Sequence, residues 1–279
     1  MSGWVRWHAD GPRTRIQLRV LGMTQEPVVL WRGVAVALVT LFAEDGSVDV
    51  AGTAAHAERL VAAGVRAVLV AGSTGEADAL SDGERVALVS AVRRACPGVP
   101  VVAGASGAWA GPAAELTAAS VAVGADAVLV APPRRAGDLR AFFERVVAAA
   151  DRRPVLAYHF PGVAGGAVPL EVLPSLPVAG LKDSTGDPER LLRLLSEWDG
   201  AVYVGSSALV STAGMLGAAG AILAVANVAP EDCVAAWEGD AAAQLRLTAA
   251  HVAAKSEFPH GLKRLVADRF GTSVASRMG

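Results

Sequence analysis

The sequence predicts an α/β fold of the (β/α)8 type, a TIM barrel with a short C-terminal helical extension. From residue 33 onward, eight short runs rich in Val and Ala alternate with helical stretches of about a dozen residues. The runs lack the polar alternation of a half-exposed sheet, so both faces of each strand should be covered, as in a parallel sheet wrapped by helices. The 279 residues are enough for one such barrel or for two smaller domains.

Eight strand and helix units in a chain of this length favour the barrel. No G-x-G-x-x-G pattern follows any of them, which gives little support to a doubly wound open sheet as the alternative. The eight strands are predicted at residues 34–42, 66–72, 100–106, 126–132, 154–159, 178–182, 201–205 and 221–226.

The predicted helices carry recognisable start signals. Ser81 followed by Glu84 has the pattern of a capping box. Asp187 followed by Pro188 combines a favoured N-cap residue with proline at the first helical position. Three more helical stretches follow the eighth strand, at residues 230–239, 241–255 and 260–271.

These elements divide the chain into three parts. Residues 31–228 are assigned to the barrel, and residues 229–279 to the C-terminal helical region. Residues 1–30 are predicted to be an appendage, for which disorder and a translation start at Met23 are both open explanations.

Composition restricts the partners and the compartment. Lys and Arg number 25 against 27 Asp and Glu, for a net charge of −2, so neither nucleic acid nor a membrane is expected as a partner. The two cysteines, Cys96 and Cys233, match no metal or disulfide spacing, which favours a reducing, cytoplasmic location.

A lysine closes the sixth predicted strand, where the chemistry of such barrels lies. Lys182 follows an apolar run and precedes an acidic, hydroxyl-rich turn. Burial disfavours the ammonium form, and a neutral lysine can form a Schiff base with a keto acid. The alternative is an ion pair between Lys182 and Asp183 or Asp187, which is the commoner arrangement for a lysine considered alone.

Neighbouring strand ends carry further candidates. Tyr158 suits proton transfer, although it could equally be a buried tyrosine with one hydrogen bond. Ser73, Thr74 and Gly75 offer backbone N–H groups and two hydroxyls that suit a carboxylate, or they form a plain connection. Gly205 either allows a ligand close to the backbone or makes a turn.

Five motifs occur in one order: GSTGE at 72–76, YHFPG at 158–162, GLKDSTGD at 180–187, GSSAL at 205–209 and GAILAVANV at 220–228. Together they resemble the dihydrodipicolinate synthase / N-acetylneuraminate lyase family, and the resemblance extends over residues 33–271. It implies a barrel with C-terminal helices and a lysine Schiff base with pyruvate or a larger 2-keto acid. It also implies no metal or organic cofactor, and a homo-oligomer that is a tetramer or a dimer.

The resemblance implies a role for each matching position. Lys182 corresponds to the Schiff-base lysine, Tyr158 to the proton-relaying tyrosine, and Thr74 to a hydroxyl that joins the relay. Substrate-binding positions are Ser73, Thr74, Gly75, Gly205 and Ile222.

Departures from the family pattern restrict the substrate. Val163 stands where dihydrodipicolinate synthases have an arginine for the aldehyde's carboxylate, and residues 131–138 lack the family's tyrosine. Arg134 and Arg135 in that segment either bind an anionic group at the far end of the substrate or form a solvated loop. His159 replaces the usual asparagine.

The sequence therefore predicts a Schiff-base lyase or aldolase for pyruvate or a 2-keto acid, with a 2-keto-3-deoxy sugar acid as the first expected substrate. Dihydrodipicolinate synthesis, a dehydratase using the same imine, and a non-catalytic keto-acid-binding relative are the alternatives. A metal-dependent aldolase is disfavoured because, of five histidines, only His159 stands at a predicted strand end.

Overall fold

A computed structural model of the chain describes residues 28–278. The predicted appendage, residues 1–30, thus lies almost entirely outside the described residues. Eight parallel strands form a closed barrel in sequence order, which confirms the predicted fold class. The strands are β1 Gly33–Ala37, β2 Ala67–Val70, β3 Val101–Gly104, β4 Ala127–Val130, β5 Val155–His159, β6 Gly180–Asp183, β7 Ala201–Val204 and β8 Gly220–Leu223.

Helices surround the barrel and follow its last strand. Between β5 and β6 the chain forms a 3-10 helix, Leu170–Ser175, in place of a full α-helix. No helix within residues 28–278 is long and apolar enough to cross a membrane. The helices are α1 Val50–Ala62, α2 Asp82–Ala95, α3 Ala110–Ala122, α4 Leu139–Ala149, α5 Pro188–Glu197, α6 Val210–Met215, α7 Pro230–Trp237, α8 Ala241–Ser256 and α9 His260–Phe270.

Both predicted helix starts are confirmed. At α2, the Ser81 hydroxyl accepts a hydrogen bond from the Glu84 N–H at 3.3 Å, and the Glu84 carboxylate accepts one from the Ser81 N–H at 2.8 Å. At α5, Asp187 accepts from two backbone N–H groups and Pro188 occupies the first turn. These local bonds satisfy donors that have no partner inside the helix.

Several strands end earlier than predicted. The run at 34–42 is a strand only to Ala37, and the run at 221–226 only to Leu223. At and just beyond the end of β1, the backbone bonds to the side chain of Asn227. The Asn227 amide donates to the Ala37 carbonyl at 2.6 Å and accepts from the Val39 N–H at 3.0 Å. Apolar composition continues past the last ladder bond, so the sequence pattern could not show where pairing stops.

Alternation along the strands separates an inner core from an outer core. The inner core includes Leu129, Leu156, Tyr203 and Ile222 inside the barrel. The outer core packs the opposite strand faces against the helices. Because successive strand residues point to opposite faces, neighbours in sequence face different environments.

Candidate active site

Lys182 lies on the inner face near the carboxyl end of β6. Its Cα is in register with that of Tyr158 on β5 and that of Tyr203 on β7. The side chain is buried, with 4% exposed, and its Nζ lies 4.6 Å from the centre of the Tyr158 ring. Burial lowers the pKa of Lys182 from its ordinary 10.5 to about 7. At neutral pH a substantial fraction of this amine is therefore unprotonated and nucleophilic.

The ion-pair alternative for Lys182 is wrong. Asp183 belongs to the other face of β6, where its carboxylate contacts the Arg190 guanidinium at 2.5 Å. Asp187 is engaged as the N-cap of α5. Among the described residues, no carboxylate lies within salt-bridge distance of the Lys182 amine. The lysine is thus held in the barrel mouth without a counter-charge, and desolvation is the cause of its lowered pKa.

Tyr158 provides a phenol beside this amine. It is 6% exposed, and burial raises the pKa of its hydroxyl above the ordinary value. Hydrogen bonds with the hydroxyls of Ser184 and Ser73 act in the opposite direction. These two serines are the hydroxyl residues that act on the pKa of the phenol, whereas the resemblance assigns the relay hydroxyl to Thr74.

The turn at Ser73–Gly75 forms a 3-10 helix directly after β2. The Gly75 N–H donates to the Gly72 carbonyl at 2.9 Å, so it is not a free donor for a ligand. The Gly75 carbonyl accepts from the Thr40 hydroxyl at 2.7 Å. A Cβ added at Gly75 would lie 3.0 Å from the Leu38 carbonyl oxygen, and this close approach explains why glycine suits the position. The remaining candidate groups for a carboxylate are the Ser73 and Thr74 hydroxyls and N–H groups.

Gly205 follows β7 next to Lys182, and Ile222 lies on β8. A Cβ added at Gly205 would lie 1.9 Å from the Ser184 hydroxyl oxygen and 3.0 Å from Cε of Lys182. Gly205 therefore makes room for the lysine side chain itself. Ile222 is fully buried in the inner core.

Ser184 is a site residue that the sequence-based reasoning missed. It follows Lys182 by two positions, so strand alternation places it on the same side of β6 as the lysine. That spacing is a usable signal, although the acidic, hydroxyl-rich composition of residues 183–187 indicates only a turn. Ser106, which follows β3 and whose hydroxyl accepts a hydrogen bond from the Ala131 N–H at 2.8 Å, was missed as well.

A cavity of about 600 Å³ opens beside Ser73 and Tyr158. Ser106, Arg134 and Val163 also line this cavity. Arg134 thus borders the space next to the candidate catalytic residues, while Arg135 lines a separate outer groove with Trp109.

His159 lies outside this cavity. Its Nδ1 accepts a hydrogen bond from the Val168 N–H at 2.8 Å, and burial together with the Arg190 charge lowers the pKa of its imidazole. The histidine therefore stabilises the backbone of the connection at Val168, outside the barrel. Within the part of the chain that the structure describes, no group of three His, Cys, Asp or Glu side chains is arranged to hold a metal ion.

Comparison with known proteins gives a consistent picture. The model of the dihydrodipicolinate synthetase family matches residues 30–266. A relative from Halobacterium salinarum, described as an uncharacterized DapA-like lyase, is 37% identical over 219 residues, which cover 74% of this chain and 71% of the relative. The 4-hydroxy-tetrahydrodipicolinate synthase 1 of Streptomyces coelicolor is 35% identical over 206 residues, covering 70% of this chain and 67% of that enzyme.

Solved structures resemble the fold over most of its length. Dihydrodipicolinate synthase from Acinetobacter baumannii, complexed with pyruvate, superposes with a TM-score of 0.76 at 25% identity and covers 89% of this chain and 94% of its own. A prophage protein of the dihydrodipicolinic acid synthase family from E. coli K12, also in complex with pyruvate, has a TM-score of 0.79 at 26% identity, with 88% and 91% covered.

Proposed function

Because the chain belongs to the dihydrodipicolinate synthetase family, we propose that it is a class I lyase or aldolase in which Lys182 forms a Schiff base with pyruvate or another 2-keto acid. One observation carries the proposal. The Lys182 amine is buried without a counter-ion, has a pKa of about 7, and lies 4.6 Å from the centre of the Tyr158 ring. The pyruvate complexes of two structural relatives support the choice of ligand.

Binding would begin at the turn that follows β2. The keto-acid carboxylate docks on the hydroxyls and N–H groups of Ser73 and Thr74, which directs its keto carbon toward Lys182. This arrangement holds the reacting atoms in one orientation and removes them from bulk water.

The chemistry then uses the amine and the phenol. The neutral Lys182 attacks the keto carbon to form a carbinolamine, and Tyr158 transfers the proton that allows water to leave as the iminium forms. In the cleavage direction, the Tyr158 phenolate left by that transfer accepts the proton of the C4 hydroxyl, the bond between C3 and C4 breaks and its electrons pass to the iminium, which yields an enamine and an aldehyde. Protonation of the enamine and hydrolysis release pyruvate and restore the amine. Ser73 and Ser184, the hydroxyl residues that act on the pKa of the phenol, extend the proton path.

The cavity supports a hydroxylated substrate, such as a 2-keto-3-deoxy sugar acid. Its lining includes Ser106, which carries a hydroxyl, and Val163, which is aliphatic. Val163 cannot bind a second carboxylate, which disfavours dihydrodipicolinate synthesis, although a relative named for that activity is 35% identical and Arg134 also lines the cavity. Dihydrodipicolinate synthesis is accordingly the second candidate.

Reductive trapping tests the proposal directly. The chain contains three lysines, Lys182, Lys255 and Lys263, so peptide mapping after treatment with pyruvate and cyanoborohydride is unambiguous. We expect the pyruvyl adduct on Lys182 in the wild-type protein and no adduct at this site in Lys182→Met. Unmodified Lys182 at saturating pyruvate would contradict the proposal.

A pair of aldehydes then separates the two candidate reactions. We expect the enzyme to consume pyruvate with glyceraldehyde, which is hydroxylated and neutral, faster than with succinic semialdehyde, which carries a carboxylate. The Val163→Arg variant should shift the preference toward succinic semialdehyde because it adds a guanidinium to the cavity. Trapping without consumption of any tested aldehyde or release from any 2-keto acid would favour a binding protein.

A further inference from the structure

A buried carboxylate lies directly behind the turn that would hold the substrate. Glu76 follows Gly75, has 0% of its surface exposed, and adopts a left-handed backbone conformation with φ of 56°. For a residue with a side chain this conformation is unfavourable, and it persists only where the surroundings enforce it. The contacts of the Glu76 side chain therefore bear on the geometry of the whole turn.

One of these contacts is a buried ion pair with the helix α9. The Glu76 carboxylate contacts the Lys263 ammonium, and both side chains are fully buried. Lys263 also donates to the Ala275 carbonyl at 2.5 Å, and its Nζ lies 4.3 Å from the centre of the Phe42 ring. A buried carboxylate needs such a partner together with hydrogen bonds to its remaining lone pairs.

Those hydrogen bonds come from residues 272–278, which we term the C-terminal segment. Oε2 of Glu76 accepts from the Ser276 hydroxyl at 2.9 Å, from the Arg277 N–H at 2.8 Å and from the Met278 N–H at 3.2 Å. The hydrogen bond from Ser276 to Glu76 joins residues that are 200 positions apart in the sequence.

The Arg277 side chain extends this attachment to a second loop. Its guanidinium donates to the Gly46 carbonyl at 2.7 Å, in the connection after β1, and to the Ala79 carbonyl at 3.1 Å, in the connection after β2. It also forms an ion pair with Glu84 at 2.7 Å and lies 5.0 Å from the centre of the Phe42 ring. The C-terminal segment thus joins the first two strand-to-helix connections at the mouth of the barrel.

We propose that the C-terminal segment positions the carboxylate-binding turn, with Glu76 and Lys263 as positioning residues that transmit this constraint to Ser73 and Thr74. The inference rests on the proposed function, in which that turn holds the keto-acid carboxylate. Loosening the segment would free the Glu76 carboxylate, relax its left-handed backbone and move the donors at Ser73 and Thr74. Affinity for the carboxylate should then fall while the reactivity of Lys182, which lies on a different strand, β6, is kept.

Two variants weaken the segment and leave the Lys263–Glu76 ion pair in place. Arg277→Met removes the guanidinium that bridges the two connections, and Ser276→Ala removes one hydrogen bond to Glu76. The matched control is Arg246→Met, which removes an arginine of helix α8, outside the C-terminal segment. Its guanidinium is bound to Asp232 at 2.8 Å, on α7. Circular dichroism and thermal melting establish that each variant is folded.

The readout compares two ketones that differ in the carboxylate. Trapping rates with cyanoborohydride are measured against concentration for pyruvate and for acetone, which also forms an imine with a lysine but has no carboxylate. We expect Arg277→Met to weaken the apparent affinity for pyruvate by about tenfold or more and to leave acetone trapping within about twofold. Ser276→Ala should show a smaller loss of the same selectivity, and Arg246→Met should match the wild type for both ketones.

Two results would overturn the inference. Equal losses for pyruvate and acetone would mean that the segment stabilises the barrel in general, and unchanged pyruvate affinity in both variants would mean that the turn holds its geometry alone. Absence of trapped pyruvate on wild-type Lys182 is a separate outcome, which would overturn the proposed function and this inference with it.

Discussion

The ionisation of Lys182 can be followed through the pH dependence of its reaction with pyruvate. The pH is varied from about 5.5 to 9.5, a range that spans the lowered pKa of Lys182, about 7. Only the neutral amine attacks the keto carbon, so the initial rate of trapping is proportional to the neutral fraction. With a pKa of about 7, half of the amine is neutral at pH 7, whereas a solvated lysine would be only about 0.03% neutral.

These fractions predict the profile. The rate at pH 6 should be about a tenth of the plateau, the midpoint should fall near pH 7, and the rate should level off above pH 8. The assay is single-turnover trapping with cyanoborohydride, scored by intact mass and mapped to the peptide that contains Lys182. A rate that continues to rise about tenfold per pH unit through pH 9 would contradict the lowered pKa of Lys182, because it would show an amine in contact with water.

Three further predictions test the surroundings of the lysine. Tyr158→Phe should slow turnover by about 10²–10⁴-fold with little change in melting temperature, and unaffected turnover would exclude the phenol from proton transfer. Gly205→Ala should reduce the trapping rate because its Cβ would overlap Ser184 and approach Lys182, whereas Gly98→Ala, where nothing lies within 4 Å of the added Cβ, is the control. Equal rates would contradict that steric account. Arg190→Met should lower the free energy of unfolding by about 3–5 kcal/mol because it leaves Asp183 buried and unpaired, and the double variant Asp183→Asn/Arg190→Met should recover part of the loss in urea denaturation. No recovery would assign the effect to lost packing of Arg190.

The barrel and the convergence of candidate residues were predictable because both follow from local pattern. Apolar runs indicate buried strands, the Ser81 capping box indicates a helix start, and Lys182 ends its run at the face where barrel chemistry lies. Strand alternation could also have identified Ser184, since it stands two positions beyond the lysine.

Long-range pairings could not be predicted in this way. The partner of Asp183 is Arg190 and not Lys182, because a charged pair depends on which strand face each residue occupies. The partners of Glu76 lie in α9 and the C-terminal segment, and nothing in the motif GSTGE distinguishes this carboxylate from a solvated one. Only folding brings these distant groups together.

The adjacent charges of β6 have a consequence for how that strand finds its place. A slip of one residue relative to β5 and β7 would turn Asp183 into the barrel and Lys182 toward the helices. The misaligned carboxylate would lose Arg190 and would be desolvated inside the barrel without compensation, and the amine would lose its position beside the Tyr158 ring. The neighbouring residues Lys182 and Asp183 therefore make a misaligned register of β6 unfavourable, and this favours correct assembly of the barrel.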